Sequence, residues 1–308
     1  MVPTWPVAYG GRDADDDLAV RISAALGDYE GADLYPYGVG LSLVGPVLLE
    51  QGTPEQQTRW LRAIADGSEI WCQMFSEPDA GSDLANVGMR ADRDGDVWIL
   101  GGSKVWTSRG AYSRWGMCLA RTDPGVSKHR GLTMFAVDME ADGVEVRPLD
   151  QMNGDRHFSE VFVSGVRVPD TDRIGDLGSG WAIALQALAL ERVTLGGRSF
   201  GGDDTPKEVI PSWLQDWRVA GHMSDLVLRQ QAMRIYVLHR VNQLTAARAS
   251  SEASVESGLV GSGAKLRSVT MFKARAYLGK NLTGAAGMLV ESSGHLEFLT
   301  APSMSIRG

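Results

Sequence analysis

The sequence predicts an α+β protein in which a sheet or small barrel lies between two helical parts. Two changes of pattern along the chain support this fold class. Residues 1–69 contain short helix signals and loops, residues 70–175 contain six or so strand patterns separated by turns, and residues 176–308 are helical again. Strands joined by turns, with no helix between them, form antiparallel sheets or barrels. We therefore predict an N-terminal helical part, a middle β domain and a C-terminal helical domain with these boundaries.

The first part contains one clearly specified helix start. Thr53 is a favourable N-cap residue, Pro54 suits the first helical turn, and Glu55 places negative charge near the positive end of the helix. This helix is predicted to continue to Gly67. A second helix is predicted where the aspartate-rich segment 13–17 precedes the apolar run 18–26.

The middle part is predicted from turn residues and short apolar runs. Asp94-Gly95 is a hairpin signal before the strand pattern at 97–100. Gly101-Gly102 is interpreted as another turn, which leads into residues 103–107. Further strands are predicted at residues 117–121, 132–137, 144–149 and 160–168.

The last part is predicted to be helical from Trp181 onward. Its most regular pattern is an apolar helix face made by Leu226, Met233, Val237, Val241 and Leu244. Residues 201–212, rich in glycine, aspartate and proline, are predicted to form a loop.

Composition excludes several classes of function. The 308 residues carry a net charge of −8 that is spread along the chain, which argues against nucleic acid or an anionic membrane as a partner. The apolar run 181–190 is shorter than the roughly 20 residues that cross a bilayer, and residues 1–6 lack the features of a secretory signal. Cys72 and Cys118 have no metal-ligand spacing and are interpreted as buried apolar residues in a reducing compartment. We therefore predict a cytoplasmic protein without a metal site.

The stretch from Gln73 to Asp83 is the first candidate for chemistry. Pro78 ends a strand, and Gly81 and Ser82 form a tight turn whose backbone N–H groups and hydroxyl are free to meet a ligand. From these residues alone, a polar loop after a strand is the favoured interpretation.

Several ordered motifs give this stretch a family resemblance. They are Ser76-Glu77-Pro78-Asp79-Ala80-Gly81-Ser82-Asp83, Gly102-x-Lys104-x-Trp106-Thr107-Ser108, residues 131–135, residues 161–169 and Gly178-x-Gly180-Trp181. In this order and spacing they resemble the acyl-CoA dehydrogenases, over nearly the whole chain. The resemblance implies the family's α+β fold and an FAD cofactor.

The resemblance also implies where the cofactor lies. Residues of the 73–83 stretch are expected along the edge of the isoalloxazine ring and near the pyrophosphate, with Ser82 also near the substrate. Trp106, Thr107 and Ser108 are expected to close one flavin face, with Ser108 near N5; a tryptophan that fills a core is the alternative for Trp106. The full set of expected FAD contacts is Gln73, Met74, Phe75, Ser76, Gly81, Ser82, Trp106, Thr107, Ser108, Asn281 and Gly284. Asn281 and Gly284 are expected at the adenosine half, although a helix crossing also explains their small neighbours.

The expected catalytic base is Glu191. A Glu-Arg pair in a helix is usually a solvated ion pair, but Glu191 follows the apolar run 181–190, and a carboxylate in an apolar environment is a stronger base. The resemblance is to the isovaleryl and long-chain types, which carry the base on this helix. Gly308 falls at the base position of the other types and has no side chain to act. Arg192 and the backbone of Gly308 are expected to contact substrate, together with Ser82.

These expectations combine into a function. The resemblance implies α,β-dehydrogenation of an acyl-CoA thioester, with electrons passed to an electron-transfer flavoprotein, in a homotetramer or a heterotetramer with a paralogue. The family's Arg-x-Thr-Phe-Gly segment has no match between residues 198 and 216, and both ends appear shortened relative to the family. Two alternatives therefore stay open: a non-catalytic or half-site subunit of a heteromeric enzyme, and an enzyme of the same fold that uses oxygen as acceptor.

Overall fold

A computed structural model describes residues 2–26, 33–197, 212–219, 224–251, 257–289 and 293–305. The described residues form two compact units. The first comprises the residues up to Leu188 apart from Met152–Gly154, and the second comprises Met152–Gly154 and the residues from Ala189 onward. The predicted α+β class is confirmed, with helices before and after a sheet.

The first unit begins with three α-helices. They are α1 (Asp16–Leu26), α2 (Gly45–Gln51), which continues a π-helical segment at Gly40–Val44, and α3 (Pro54–Asp66). The predicted start of α3 is confirmed: the Thr53 side chain accepts from the Gln56 backbone N–H, and the Gln56 side chain accepts from the Thr53 N–H. Gly67 ends the helix in the left-handed conformation, with φ of +78°.

Eight strands follow and form one sheet. They are β1 (Trp71–Met74), β2 (Arg90–Asp94), β3 (Val97–Ser108), β4 (Trp115–Arg121), β5 (Leu132–Asp138), β6 (Val144–Leu149), β7 (Phe158–Pro169) and β8 (Arg173–Ile174). The order is β6-β7-β3-β2-β4-β5-β8, with β1 also paired to β4. Most pairs are antiparallel as predicted, but β1 and β2 each run parallel to β4.

Gly101-Gly102 does not form the predicted turn. Residues 97–108 are one strand, and the irregularity lies in its partner β7, where Gly165 has a φ of +65°. A glycine is favoured at position 102 for a reason other than a turn: a Cβ there would lie 3.0 Å from the Cα of Met89. Gly102 therefore marks a close approach of two segments of the chain inside a strand, whereas a Cβ built on Gly101 meets nothing within 4 Å.

Apolar side chains cover both faces of the central strands. On one face, residues of β1 to β5 and β7 form a core that includes Met74, Leu100 and Phe135. On the other, Trp60 of α3 contacts Trp71 and Trp115, with ring centroids 5.4 and 5.5 Å apart. Because both faces are covered, all but the last residue of β4 and of β5 are buried.

The helix α4 (Gly180–Gly197) contains the boundary between the two units. The second unit then contains α5 (Ser212–Val219), α6 (Leu226–Ser251), α7 (Ser257–Thr283) and α8 (Ser293–Thr300). Its core includes Trp217, Ala232, Ile235, Met271 and Leu278.

The apolar face predicted for α6 is exposed in the structure. Its five residues, Leu226, Met233, Val237, Val241 and Leu244, have exposed fractions of 41–65%. Ala232, Ile235 and His239 are buried instead, and their spacing of three and four residues also marks one helix face. None of the described helices has the length and apolarity needed to cross a membrane.

Candidate active site

The first part of the candidate site lies where β1 ends and an exposed loop begins. Met74 and Phe75 are buried, with exposed fractions of 0% and 4%, whereas Gln73 and Ser76 are half-buried. Any ligand contact of Met74 and Phe75 therefore involves backbone atoms. The Ser76 carbonyl accepts from the Val105 N–H at 2.9 Å, which places this loop beside the middle of β3.

The side chain of Lys104 binds the residues that follow β1 to β3 and β4. It is fully buried, and its Nζ donates to the Phe75 carbonyl at 3.0 Å, the Leu119 carbonyl at 2.7 Å and the Glu77 carboxylate at 2.8 Å. An ammonium group has three N–H donors, so these three bonds satisfy all of them. The sequence identified Lys104 and Glu77 only as motif positions, since partners 27 residues apart leave no local pattern.

The loop beyond Glu77 is a tight turn with an open side. Glu77 and Ala80 exchange backbone hydrogen bonds at 3.0 and 3.1 Å. Gly81 and Ser82 follow and are exposed, and a Cβ built on Gly81 meets nothing within 4 Å. This turn has the open backbone that the sequence predicted for ligand contact.

Trp106 occupies a bulge in β3. Between the pairs Lys104–Val161 and Thr107–Ser159, two residues of β3 oppose one residue of β7. Trp106 has a φ of +59°, unusual for a bulky residue, and its side chain is 53% exposed. An exposed tryptophan on strained backbone is not filling a core, so the alternative reading of Trp106 is wrong for this chain.

Trp106 and Ser108 lie on one face of the sheet, and Thr107 lies on the other. Ser108 pairs with Phe158, whose ring meets the Trp106 indole edge to face with centroids 6.0 Å apart. Thr107 pairs with Ser159, and both are 1% exposed. Side chains alternate across a strand, so the exposed face carries the indole and the Ser108 hydroxyl. Phe158 supports this face and was not identified from sequence.

The residues present on this face fit a planar aromatic cofactor. The indole of Trp106 offers a flat apolar surface, the Ser108 hydroxyl offers a donor, and the backbone of the neighbouring turn is open. The hydroxyl of Thr107 is buried with no hydrogen-bond partner among the described residues. Its side chain faces away from Trp106, so Thr107 contributes to this face through its backbone.

The turn after Ser108 is held by Arg109. This residue has a φ of +67°, is 7% exposed, and its backbone N–H donates to the His157 carbonyl at 3.0 Å. Its guanidinium lies 4.2 Å from the centroid of the Tyr35 ring. A buried cation stacked on an aromatic ring fixes the chain at the end of β3.

The second unit contains the other predicted residues. Glu191 lies in α4 and is half-buried, with its Oε2 atom inaccessible to solvent. Arg192 lies in the same helix, but its side chain is outside the described part. Asn281 and Gly284 are exposed at the end of α7, where Gly284 has a φ of +53°. Gly308 and residues 198–211 are outside the described residues.

The structure therefore brings together the site residues of the first unit. Gln73 to Ser76 and the Trp106–Ser108 segment meet where β1 ends beside β3, and the 81–82 turn follows on the loop after Ala80. The base and substrate contacts predicted in the second unit stay predictions.

Comparison with known proteins gives consistent results. The N-terminal domain model of the acyl-CoA dehydrogenases matches residues 1–68, and the middle domain model matches residues 72–166. The chain is 36% identical to acyl-CoA dehydrogenase FadE34 of Mycobacterium tuberculosis, over 100% of this chain and 42% of that protein. The chain spans half or less of the length of the first curated relatives that it matches.

Two solved structures extend the similarity to the fold. The ChsE4-ChsE5 complex from Mycobacterium tuberculosis matches with a TM-score of 0.78 and 25% identity, covering 100% of this chain and 81% of the other. A variant of the Tcur3481-Tcur3483 steroid ACAD matches with a TM-score of 0.75 and 25% identity, covering 98% and 79%. Because the two family models together match more than half of its residues, the chain belongs to the acyl-CoA dehydrogenase family.

Proposed function

We propose that the chain binds FAD against the Trp106 face and catalyses α,β-dehydrogenation of an acyl-CoA thioester, with Glu191 as the base. The observation that carries this proposal is Trp106 itself. The strained backbone of the bulge costs about 1–3 kcal/mol, and it leaves a large apolar side chain exposed beside Ser108 and the 76–82 turn. Such strain persists where a bound partner uses the geometry.

FAD, the cofactor that family membership implies, supplies the acceptor for the hydride that leaves the β-carbon. The indole of Trp106 would cover one side of the flavin, and the Ser108 hydroxyl would donate to its redox-active edge. Donors placed in advance stabilise the negative charge that develops in the reaction. Gln73, the backbone of Met74 and Phe75, and Ser76 would meet the polar rim.

The proton that leaves the substrate would go to Glu191. A thioester α-hydrogen is a weak acid, so the carbonyl must accept hydrogen bonds while the carboxylate removes the proton. We assign one of these bonds to the backbone N–H of Gly308. Ser82 and Arg192 would hold the thioester portion, and Asn281 with Gly284 the adenosine half of FAD.

The test compares two glutamates of the second unit. Glu191→Gln is expected to keep the fold and the binding of FAD, while flavin bleaching by acyl-CoA under anaerobic conditions slows at least about a thousandfold. Glu297→Gln, a change at an exposed residue of α8, serves as the matched control and is expected to bleach at the wild-type rate. Undiminished bleaching by Glu191→Gln would refute the assignment of the base.

For the substrate, we propose a bulky acyl group of the steroid class. The support is the similarity to the Tcur3481-Tcur3483 steroid ACAD, together with a helix-borne base. Bleaching by a steroid side-chain CoA thioester is expected to be faster than bleaching by a straight-chain thioester; the reverse order would contradict this substrate class. We propose an electron-transfer flavoprotein as acceptor, and hydrogen peroxide release during turnover would contradict that choice.

A second candidate function is a half-site subunit of a heteromer. Its support is the match to the ChsE4-ChsE5 complex, which joins two proteins. The purified chain alone is then expected to be colourless and to gain bound FAD only with a paralogous partner. A yellow, active chain in isolation would exclude this candidate.

A further inference from the structure

Glu77 joins the two ends of the segment that carries the turn. Its Oε2 accepts from the Gly88 N–H at 2.7 Å, and its Oε1 accepts from the Met89 N–H at 2.9 Å. Residue 77 therefore bonds to the chain eleven and twelve positions ahead. The segment 76–89 is closed into a loop by one carboxylate.

Lys104 connects this closed loop to the sheet. Its Nζ holds the Glu77 carboxylate and also the carbonyls of Phe75 in the loop approach and Leu119 in β4. The next residue, Val105, donates its N–H to the Ser76 carbonyl. The loop and the Trp106 bulge are consequently fixed to each other by adjacent residues of β3.

Packing alone does not explain why Lys104 and Glu77 form a buried ion pair. A methionine has nearly the length of lysine and would fill the same buried space without a charge. A buried ammonium and a carboxylate with 11% exposure must instead be desolvated. Their directed bonds hold Glu77, and through it the N–H groups of Gly88 and Met89, against β3, which an apolar contact would not do.

We propose that Lys104 is a positioning residue that, through Glu77, holds the 76–89 loop at the distance from Trp106 that the flavin edge needs. This inference rests on the flavin-binding part of the proposed function. Lys104 touches neither cofactor nor substrate in this proposal, because all three of its N–H groups are used within the protein.

The test uses the full chain and four variants. Lys104→Met and Glu77→Gln break the pair from either side. Lys128→Met breaks the ion pair between Lys128, which lies between β4 and β5, and Asp83 of the loop, whose side chains are 45% and 60% exposed. Leu61→Ala removes a buried side chain of α3. Two quantities are measured: amide hydrogen exchange of residues 76–89 without FAD, and the dissociation constant for FAD.

Lys104→Met and Glu77→Gln are expected to speed exchange in residues 76–89 and to weaken FAD binding about tenfold, while exchange in β5 stays slow. Lys128→Met and Leu61→Ala are expected to leave FAD affinity unchanged. Faster loop exchange with unchanged FAD affinity overturns the proposal. Fast exchange of β5 amides in both Lys104→Met and Glu77→Gln also overturns the proposal, because it would show that the pair stabilises the whole sheet and not the loop in particular. A wild-type chain that binds no FAD refutes the proposed function instead, a result that the wild-type titration reports by itself.

Discussion

The ring of Phe158 supports the indole of Trp106 from the neighbouring strand, with an interplanar angle of 88°. Phe158 is 7% exposed and Trp106 is 53% exposed, so the contact joins the core to the proposed flavin face. Edge-to-face pairs contribute about 0.5–1.5 kcal/mol beyond the area that they bury.

Phe158→Ala should therefore weaken FAD binding about threefold to tenfold, because the indole loses the ring that fixes its orientation. The measurement is an FAD titration followed by flavin fluorescence. Phe162→Ala is the matched control, since Phe162 lies four residues along the same strand and contacts Arg147 instead. Equal affinity in Phe158→Ala and wild type would show that the pair does not organise the flavin face.

Thr107→Val tests whether the hydroxyl of Thr107 contacts FAD, as its motif position predicts. The hydroxyl is buried with no partner among the described residues. The change should leave the unfolding free energy of the FAD-free chain unchanged or raise it by about 1 kcal/mol. FAD affinity should also be unchanged. A large loss of FAD affinity would show that the Thr107 hydroxyl contacts the flavin.

Thr133→Val provides the contrasting buried threonine. The Thr133 hydroxyl accepts from the Gly178 N–H at 3.0 Å and lies 2.8 Å from the Thr122 hydroxyl. Loss of this oxygen leaves the Gly178 N–H without its acceptor and should cost about 1–3 kcal/mol of unfolding free energy. Urea denaturation of Thr133→Val and Thr107→Val compares a hydroxyl that accepts a hydrogen bond with one that has no partner among the described residues.

Local features of the fold could be predicted from sequence because their causes are local. The N-cap at Thr53 and the Asp94-Gly95 hairpin each involve a few consecutive residues, and both are present. The prediction of a turn at Gly101-Gly102 was wrong. Glycine occurs both in turns and where two segments of backbone approach closely, and only the position of Met89 shows that Gly102 belongs to the second case.

Features that depend on distant partners could not be predicted. The bond between Lys104 and Glu77 joins the interior of β3 to the loop that follows β1, and the bulge at Trp106 is defined only against β7. The exposed apolar face of α6 has a similar cause, since a helical period predicts a face but not which neighbour packs on it. Motif resemblance predicted the candidate site residues, and the structure shows what Lys104 and Glu77 contact.

The two buried thiols should make the protein less stable at alkaline pH. Burial raises the pKa of Cys72 to about 12 and that of Cys118 to about 11, from 9.0. Above pH 9 the unfolded chain releases thiol protons that the folded chain retains, so the unfolding free energy falls as pH rises, by up to about 1.4 kcal/mol per pH unit for each thiol. Denaturation between pH 8 and 11 measures this slope. The double variant Cys72→Ala with Cys118→Ala should show a flatter slope than wild type, and equal slopes would contradict the prediction.

Asp170 should contribute stability that disappears in acid. Hydrogen bonds from Arg173 and from the Trp98 indole lower the pKa of its carboxyl from 3.8 to about 2. A lowered folded-state pKa means that the stabilisation is complete well above pH 3.8 and is lost as pH falls towards 2. Asp170→Asn should therefore cost about 1–2 kcal/mol of unfolding free energy at pH 7, after allowance for solvent screening of a side chain that is 30% exposed. The difference from wild type should shrink between pH 5 and pH 2 in denaturant titrations. Asp94→Asn, at an exposed carboxylate that pairs with Arg167, should show little difference at either pH, because exposed ion pairs contribute little.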